Sequence, residues 1–333
     1  MDGNPLGDGA VSKIVFGAGS IGNLKQALPE AAVDELLAEA TRHGIFRFDT
    51  SPLYGFGLSE LRLGHHLRGL ERKSFTVSTK VGRYFLPAWG DEIARGVWYA
   101  PLRRKAVVDY SRDGILRSLE QSFNRLGIDR IDTVLVHDID RRNQGDAFEV
   151  SFRQVVEEAL PLLSDLKSGG QIDAFGIGIN EADVALDLMR AAEFDVLMLA
   201  GRISLLDHAS AAEALAEAQR RGVSVQAASI YNSGLLANAT SQGTFDYAPA
   251  SATLLSRLNM IRKIAERFDV PLQAAAVQFP LRLPAVEAAV VGMSRPSHVR
   301  STLDWLRKPI PDDMWAELGK NGLMLENLFS SDK

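Results

Sequence analysis

The sequence predicts an α/β protein of the eight-stranded parallel class, a (β/α)₈ or TIM barrel, and three observations carry that prediction. Short apolar runs alternate with helical patterns along the chain. Eight such runs can be counted, and strands that alternate with helices need parallel crossovers, which close readily at eight. Polar groups recur at one place, the exit of a strand, which in a barrel is the rim where loops surround the mouth.

Residues 1–12 are expected to form a flexible leading segment, and Lys13–Ser20 (KIVFGAGS) is the first strand. Pro29–His43 has a helix signature, with Pro near the start, Glu30, Asp34 and Glu35 in the early turns and Gly44 at the stop. Arg47–Ser51 (RFDTS) is the second strand and runs into Pro52-Leu53-Tyr54-Gly55, a turn by composition. The order then repeats: helix Ser59–Arg68, strand Phe75–Gly82, helix Arg112–Leu126 closed by Gly127, strand Thr133–Asp138. Helix Phe152–Lys167, strand Ala174–Asn180, helix Ala182–Ala192 and strand Val196–Ala200 follow. Helix Ala211–Arg221, strand Ser224–Ser229, helix Leu254–Phe268 and strand Ala288–Met293 complete the set. No composition break divides the chain, so residues 1–333 are expected to form one barrel domain, with 308–333 as a C-terminal extension.

Two connections exceed the few residues that such loops usually need: Arg83–Tyr110 after the third strand and Asn232–Ser251 after the seventh. The first holds Trp89, Trp98 and Tyr99, which are candidate walls of a substrate pocket. The second is rich in Gly, Ala, Ser and Thr and could fold over a ligand.

Composition narrows the function. The hydrophobic share of 46% and charged share of 24% are those of a globular protein with a sizeable core. A net charge of −5 without a basic block argues against nucleic acid, and the lack of cysteine excludes disulfides, thiolate metal sites and a Cys nucleophile. Met1–Ala10 lacks the features of a signal peptide, and no apolar run nears the ~20 residues that span a bilayer, so a cytoplasmic enzyme without membrane contact is expected. The oligomeric state is not legible.

Gly17-Ala18-Gly19-Ser20-Ile21-Gly22 matches the dinucleotide fingerprint G-x-G-x-x-G, but its third Gly does not open a helix directly, and no strand ending in an acidic residue stands at the ~20-residue offset. A tight turn at the rim is the better reading. His137-Asp138-Ile139-Asp140 lacks a second histidine at ligand spacing, so no metal is expected.

The chemistry rests on Asp49, Tyr54, Lys80 and His137, which stand at or just past three strand ends. A phenol titrates near ~10, a nearby ammonium favours its anion, and an aspartate keeps that ammonium protonated. A histidine can orient a substrate oxygen. Taken singly, each has a plain structural role as turn cap, ion-pair partner, core ring or satisfied imidazole. As a set they suit the proton half of hydride transfer at a carbonyl or alcohol carbon, with the hydride handled by a cofactor.

Phe48-Asp49-Thr50-Ser51-Pro52-Leu53-Tyr54-Gly55, with Ser59-Glu60, Leu63-Gly64, Ser78-Thr79-Lys80 and Leu135-Val136-His137, resembles the aldo-keto reductase superfamily from about Val15 to Leu306. The resemblance implies a nicotinamide dinucleotide bound by a (β/α)₈ barrel, with proton transfer by Asp49, Tyr54, Lys80 and His137. The family's Ser-Asn that holds the carboxamide is matched by Gly176-Ile177-Gly178-Ile179-Asn180, in which Asn180 is displaced by one, and the family's strand-six Gln falls at Ala200. Ser229–Leu236 looks like the pyrophosphate loop, with backbone donors expected at Ile230, Asn232 and Gly234 beside Ser229. Gly292-Met293-Ser294-Arg295-Pro296 begins the last helix, whose amides and dipole favour phosphate. Members that use NADP place cations where this chain has Gly292 and His298, with Arg295 nearby, so NAD is the expected cofactor and NADP the alternative.

Within the superfamily, His137–Asp140, Ala200-Gly201-Arg202 and Asn232-Ser233-Gly234 are similar to aldose 1-dehydrogenases acting on L-fucose, L-galactose or D-threo-aldoses, and to pyridoxal 4-dehydrogenases. These oxidise a cyclic hemiacetal to a lactone. The alternatives are an NADPH-dependent aldehyde or ketone reductase and a cofactor-sensing regulatory barrel like the channel β-subunits.

Overall fold

The computed structural model describes residues 9–325 apart from 91, 238–243 and 247. Eight strands close into a barrel: β1 (Ile14–Gly17), β2 (Arg47–Asp49), β3 (Thr76–Val81), β4 (Thr133–His137), β5 (Ala174–Ile179), β6 (Val196–Ala200), β7 (Ser224–Ala228) and β8 (Val286–Gly292). Each lies parallel to the next in the chain, and β8 pairs with β1 through Val15↔Val290 and Gly17↔Gly292. The predicted strands cover these except that the last starts at Ala288 rather than Val286, and all but Val196–Ala200 overrun at the rim. Ser20, Asp138, Asn180, Ser229 and Met293 all lie just past a strand end.

Alternation along the strands sorts the side chains. Phe16, Phe48, Val77, Val81, Val134, Val136, Ile177 and Leu197 belong to the large core between strands and helices. Their sequence neighbours Val15, Leu135, Met198, Ala228, Ala288 and Val290 form a separate cluster inside the barrel. Each large side chain in the helix-facing layer is worth about 1.5–3 kcal/mol, and a slip of one residue would turn that layer inward. The apolar layer therefore fixes which polar residues face the lumen: Asp49 beside Phe48, Lys80 between Thr79 and Val81, His137 beside Val136, and Asn180 beside Ile179.

The helix Arg112–Leu126 starts where Ser111 Oγ accepts the Gly114 N–H at 3.2 Å and ends at Gly127 in the left-handed region, as Ser/Gly punctuation requires. The predicted Phe152 start falls inside a longer run, Phe148–Ser168, that contains a π-turn at Val155–Ala159. Leu272–Leu281 is a helix that the hydrophobic pattern did not announce, and it lies between β7 and β8.

The connection after β3 is an antiparallel hairpin of Arg83–Pro87 with Arg104–Val108. Gln121 on the helix behind it accepts the Phe85 N–H and donates to the Phe85 carbonyl, each at 3.0 Å. The connection after β7 includes a short pair, Thr244–Phe245 with Ala248–Pro249; positions 238–243 and 247 of that loop lie outside the described residues. So do residues 1–8 of the leading segment and 326–333 of the C-terminal extension, whose described part carries the helix Asp312–Lys320. Among the described residues no helix is long and apolar enough to cross a membrane.

Candidate active site

The Gly-rich turn after β1 sets the position of Tyr54. A Cβ on Gly22 would stand 2.7 Å from the Tyr54 carbonyl carbon, and one on Gly55 would stand 2.4 Å from the Gly22 oxygen. Gly22, the last glycine of the apparent dinucleotide fingerprint, and Gly55 thus let two rim loops cross in contact. The Ser20 hydroxyl ties this turn to the Met293 carbonyl at the exit of β8.

Lys80 and Asp49 meet below Tyr54, both almost fully buried. Lys80 Nζ lies 2.6 Å from Asp49 Oδ2 and donates to the Thr50 carbonyl at 2.9 Å. Ser78, two residues before Lys80 on the same face, donates to Asp49 Oδ1 at 2.8 Å, so each carboxylate oxygen has a short partner. Lys80 Nζ stands 4.9 Å from the Tyr54 ring centroid, near enough for its charge to act on the phenol.

His137 completes the group. Its ring lies edge-on to Tyr54 at 6.1 Å, and Ser51 Oγ is 3.1 Å from its Nδ1. Ser51 Oγ also accepts the Leu53 N–H and can give its own proton to Nδ1; in that tautomer the imidazole proton is on Nε2.

Burial is the dominant influence on all three titrating groups. It raises Tyr54 to about 12, with Lys80 pulling down and Asp49 and Asp138 pushing up. The expected pull of Lys80 toward the phenolate is therefore outweighed, and the free site holds a neutral phenol. Burial opposes the charge of Lys80 as well, but Asp49 and then Tyr54 overcome it, so the ammonium titrates above its ordinary value. His137 falls well below the usual histidine value through burial, reinforced by Arg83 and Lys80, and is a neutral imidazole.

Sequence reading missed several members of this cluster. Ser78 was within reach of the period-two rule, since it shares the face of Lys80. Asp138 was not, because its parity points it away from the lumen. A left-handed backbone at Asp138, φ 53°, turns the carboxylate back to within 3.5 Å of His137 Nε2 and 3.0 Å of Arg83 Nη1.

A second set surrounds the exits of β5, β6 and β7. Asn180, Ala200, Gly201, Ser229, Asn232 and Asp246 line one cavity. Asn180 Nδ2 donates to Asp140 Oδ2 at 3.1 Å, which leaves its Oδ1 as an acceptor. Asn232 Nδ2 donates to the Gly201 carbonyl at 3.0 Å, and its Oδ1 is buried without a partner. Two amide oxygens beside one cavity fit a ligand with a primary amide, and the carboxamide of a nicotinamide ring is such a group. Of the backbone donors expected in this loop, the Asn232 N–H goes to the Ser229 carbonyl and the Gly234 N–H to the Tyr231 carbonyl, because a tight turn with Ser229, Asn232 and Ser233 at positive φ closes on itself. Ile230 is buried beside them.

At the exit of β8, a Cβ on Gly292 would meet open space, Met293 is buried, and Ser294 and Arg295 lead into the helix Pro296–Arg307. Arg295 Nε donates to His298 Nε2 at 2.7 Å, and Ser294 Oγ lies 3.4 Å from Nδ1. Of the three candidate wall residues only Trp98 reaches the cluster, with its ring 5.4 Å from Tyr54 and packed with Phe56 and Phe85. Tyr99 is 58% exposed and Trp89 is 90% exposed. Among the described residues no group of His, Asp or Glu is placed to hold a metal.

The Aldo/keto reductase family pattern matches residues 13–321. The chain is 36% identical over 325 residues to pyridoxal 4-dehydrogenase of Microbacterium luteolum, covering 94% of this chain and 95% of the relative. It is 35% identical over 322 residues to D-threo-aldose 1-dehydrogenase of a Pseudomonas species, covering 95% of each. An aldo-keto reductase from Bacillus halodurans in its holo form superposes with a TM-score of 0.71 at 21% identity, over 96% of this chain and 95% of that one, and shares the fold. A match running from β1 to the C-terminal helix, with two such relatives both dehydrogenases, makes the chain a member of the aldo/keto reductase family and an oxidoreductase that works with NAD(P)H.

Proposed function

We propose that the enzyme oxidises a cyclic hemiacetal to a lactone, with Tyr54 as the acid/base group and an aldose C1 or pyridoxal as the substrate. The observation that carries this reading is the buried chain Asp49–Lys80–Tyr54 beside a neutral His137. Both relatives act on compounds that close into cyclic hemiacetals, and that shared chemistry supports the substrate class.

The hemiacetal hydroxyl lies between the Tyr54 oxygen and the His137 Nε2–H. The imidazole, being neutral, donates and orients without taking a proton. Tyr54 receives the hydroxyl proton once its own has left, and Lys80 stabilises the phenolate in the interval while Asp49 and the Thr50 carbonyl hold the ammonium in place. A bound nicotinamide supplies the hydride acceptor. Asn180 and Asn232 would hold its carboxamide, and Ser229, Ile230 and Gly234 would line the approach of the pyrophosphate. Gly292, Met293, Ser294, Arg295 and His298 would meet the adenosine end, where Gly292 and His298 stand in place of the cations expected for NADP, so NAD is preferred.

Replacing Tyr54 by Phe tests the reading. The account expects turnover to fall by about 10²–10⁴-fold, with cofactor affinity nearly unchanged by fluorescence titration. A variant that keeps most of its kcat removes Tyr54 from the role. A second reading, carbonyl reduction, is favoured by the same phenol, since a group that holds its proton up to about 12 is a ready donor to a nascent alkoxide.

A further inference from the structure

We propose that Asp138, braced by Arg83, reads a hydroxyl group on the carbon next to the reacting carbon, and so selects α-hydroxy carbonyl compounds and their hemiacetals. The inference rests on the oxidoreductase reading of Tyr54 and His137 and adds a selectivity to it.

Asp138 occupies a conformation that the chain must hold open. Its backbone is left-handed at φ 53°, at the end of β4, where the strand would otherwise continue. Several bonds over-determine it. The Asp138 N–H donates to the Gly178 carbonyl at 2.9 Å, its carbonyl accepts from Gln144 Nε2 at 2.8 Å, and the preceding His137 carbonyl accepts the Tyr110 hydroxyl at 2.7 Å. The result is to carry a carboxylate to the Nε2 side of His137. A strained conformation held this firmly at a barrel mouth points to use.

The carboxylate is not saturated there. Oδ2 has Arg83 Nη1 at 3.0 Å, a close charge contact in which the N–H is poorly aimed, since Nη1 makes no hydrogen bond. Among the described residues Oδ1 has only long neighbours, Asn180 Nδ2 at 3.4 Å and His137 Nε2 at 3.5 Å. With side-chain exposure of 13%, Asp138 is largely removed from water while one oxygen lacks a short bond. A carboxylate offers about four acceptor sites, and an under-bonded buried one is costly unless a ligand supplies a donor.

The neighbouring charges decide what that donor is. Arg83 and Lys80 already supply cations, so a cationic ligand group is not called for, and a neutral hydroxyl completes the site. A substrate oxygen bound by Tyr54 and His137 Nε2–H places the next carbon's hydroxyl beside Oδ1. Aldoses carry such a hydroxyl at C2, whereas the phenolic hydroxyl of pyridoxal stands one carbon farther from its aldehyde carbon. Asp138 thus fits the aldose, the substrate class named for one of the relatives.

The test compares reduction of glycolaldehyde and propanal, which differ by a hydroxyl in place of a methyl, using whichever reduced nicotinamide cofactor supports turnover. Wild type is expected to favour glycolaldehyde in kcat/KM by about 10- to 100-fold, the range for a hydrogen bond to a charged group. Asp138→Asn keeps a residue that accepts left-handed backbone, and Asp138→Gly removes the carboxylate without strain. Both are expected to bring the ratio of kcat/KM for glycolaldehyde over propanal to near one, whatever change the two aldehydes share. Equal losses on both aldehydes, or a wild type without preference, overturn the proposal and leave the role of Tyr54 standing. A wild type that reduces neither aldehyde and oxidises no hemiacetal overturns the oxidoreductase reading of the site, and this inference with it.

Discussion

Tyr54 is pulled in two directions, by burial that favours the phenol and by an ammonium that favours the phenolate, and burial wins. The sign of the pH dependence follows. Oxidation needs the deprotonated form, which is scarce below about 12, so kcat/KM for oxidation is expected to rise with pH across about pH 6 to 9, up to tenfold per unit. Reduction needs the phenol, which is fully populated over that range, so its proton-donation step should be flat there. Steady-state profiles in both directions check this, and a flat oxidation profile would remove Tyr54 as the base. The two rim loops impose a second residue-scale expectation. Gly22→Ala would drive a methyl against the Tyr54 carbonyl, and a displacement near 1 Å at a reacting group costs about 10²-fold, so kcat should fall by that order while the barrel stays folded by circular dichroism.

Among the elements, the hairpin after β3 carries the wall of the site unevenly. Trp98 lies between Tyr54 and the Phe56–Phe85 pair, whereas Trp89 projects into solvent. Trp98→Ala is expected to raise KM by about tenfold, and Trp89→Ala to leave it within about twofold, since exposed substitutions shift energies by about 0.5 kcal/mol or less. Comparable effects on KM would mean that the hairpin closes differently over substrate. Behind the site, Glu60 accepts from Thr79 at 2.7 Å and from Arg125 at 2.6 Å, all buried, and so joins the helix Leu58–Leu67 to β3 and the helix Arg112–Leu126. Glu60→Ala strands the Arg125 charge and is expected to cost about 3–5 kcal/mol in denaturant unfolding. A loss below about 1 kcal/mol would show that Arg125 finds water instead.

For the whole molecule, the sequence was most legible where burial is periodic. The apolar runs of β3 and β4 put Lys80 and His137 near strand exits, and the turn composition of Pro52–Gly55 put Tyr54 in the loop beside them. Periodicity fails where an element is buried all round: Leu272–Leu281 has no polar face and carries Pro280, so no helical stripe announced it. Hairpin strands separated by a long stretch read as one loop, and pairing across it has no local signal. Asp138 was hidden because strand parity turns it outward and only a left-handed residue brings it back. The high value at Tyr54 was hidden because burial is a property of the closed mouth, whereas the Lys–Tyr pairing is visible in composition.

The central claim is that this barrel oxidises a hemiacetal through Tyr54. The most direct measurement is the formation of reduced cofactor by the purified enzyme with NAD or NADP and L-fucose, L-galactose, D-arabinose or pyridoxal, with wild type and Tyr54→Phe side by side and the product identified by mass. The account predicts a lactone from at least one of these with wild type, faster with NAD, and almost none with the variant. Silence with all four while aldehydes are reduced, or a Tyr54→Phe enzyme that still forms the lactone, would contradict it.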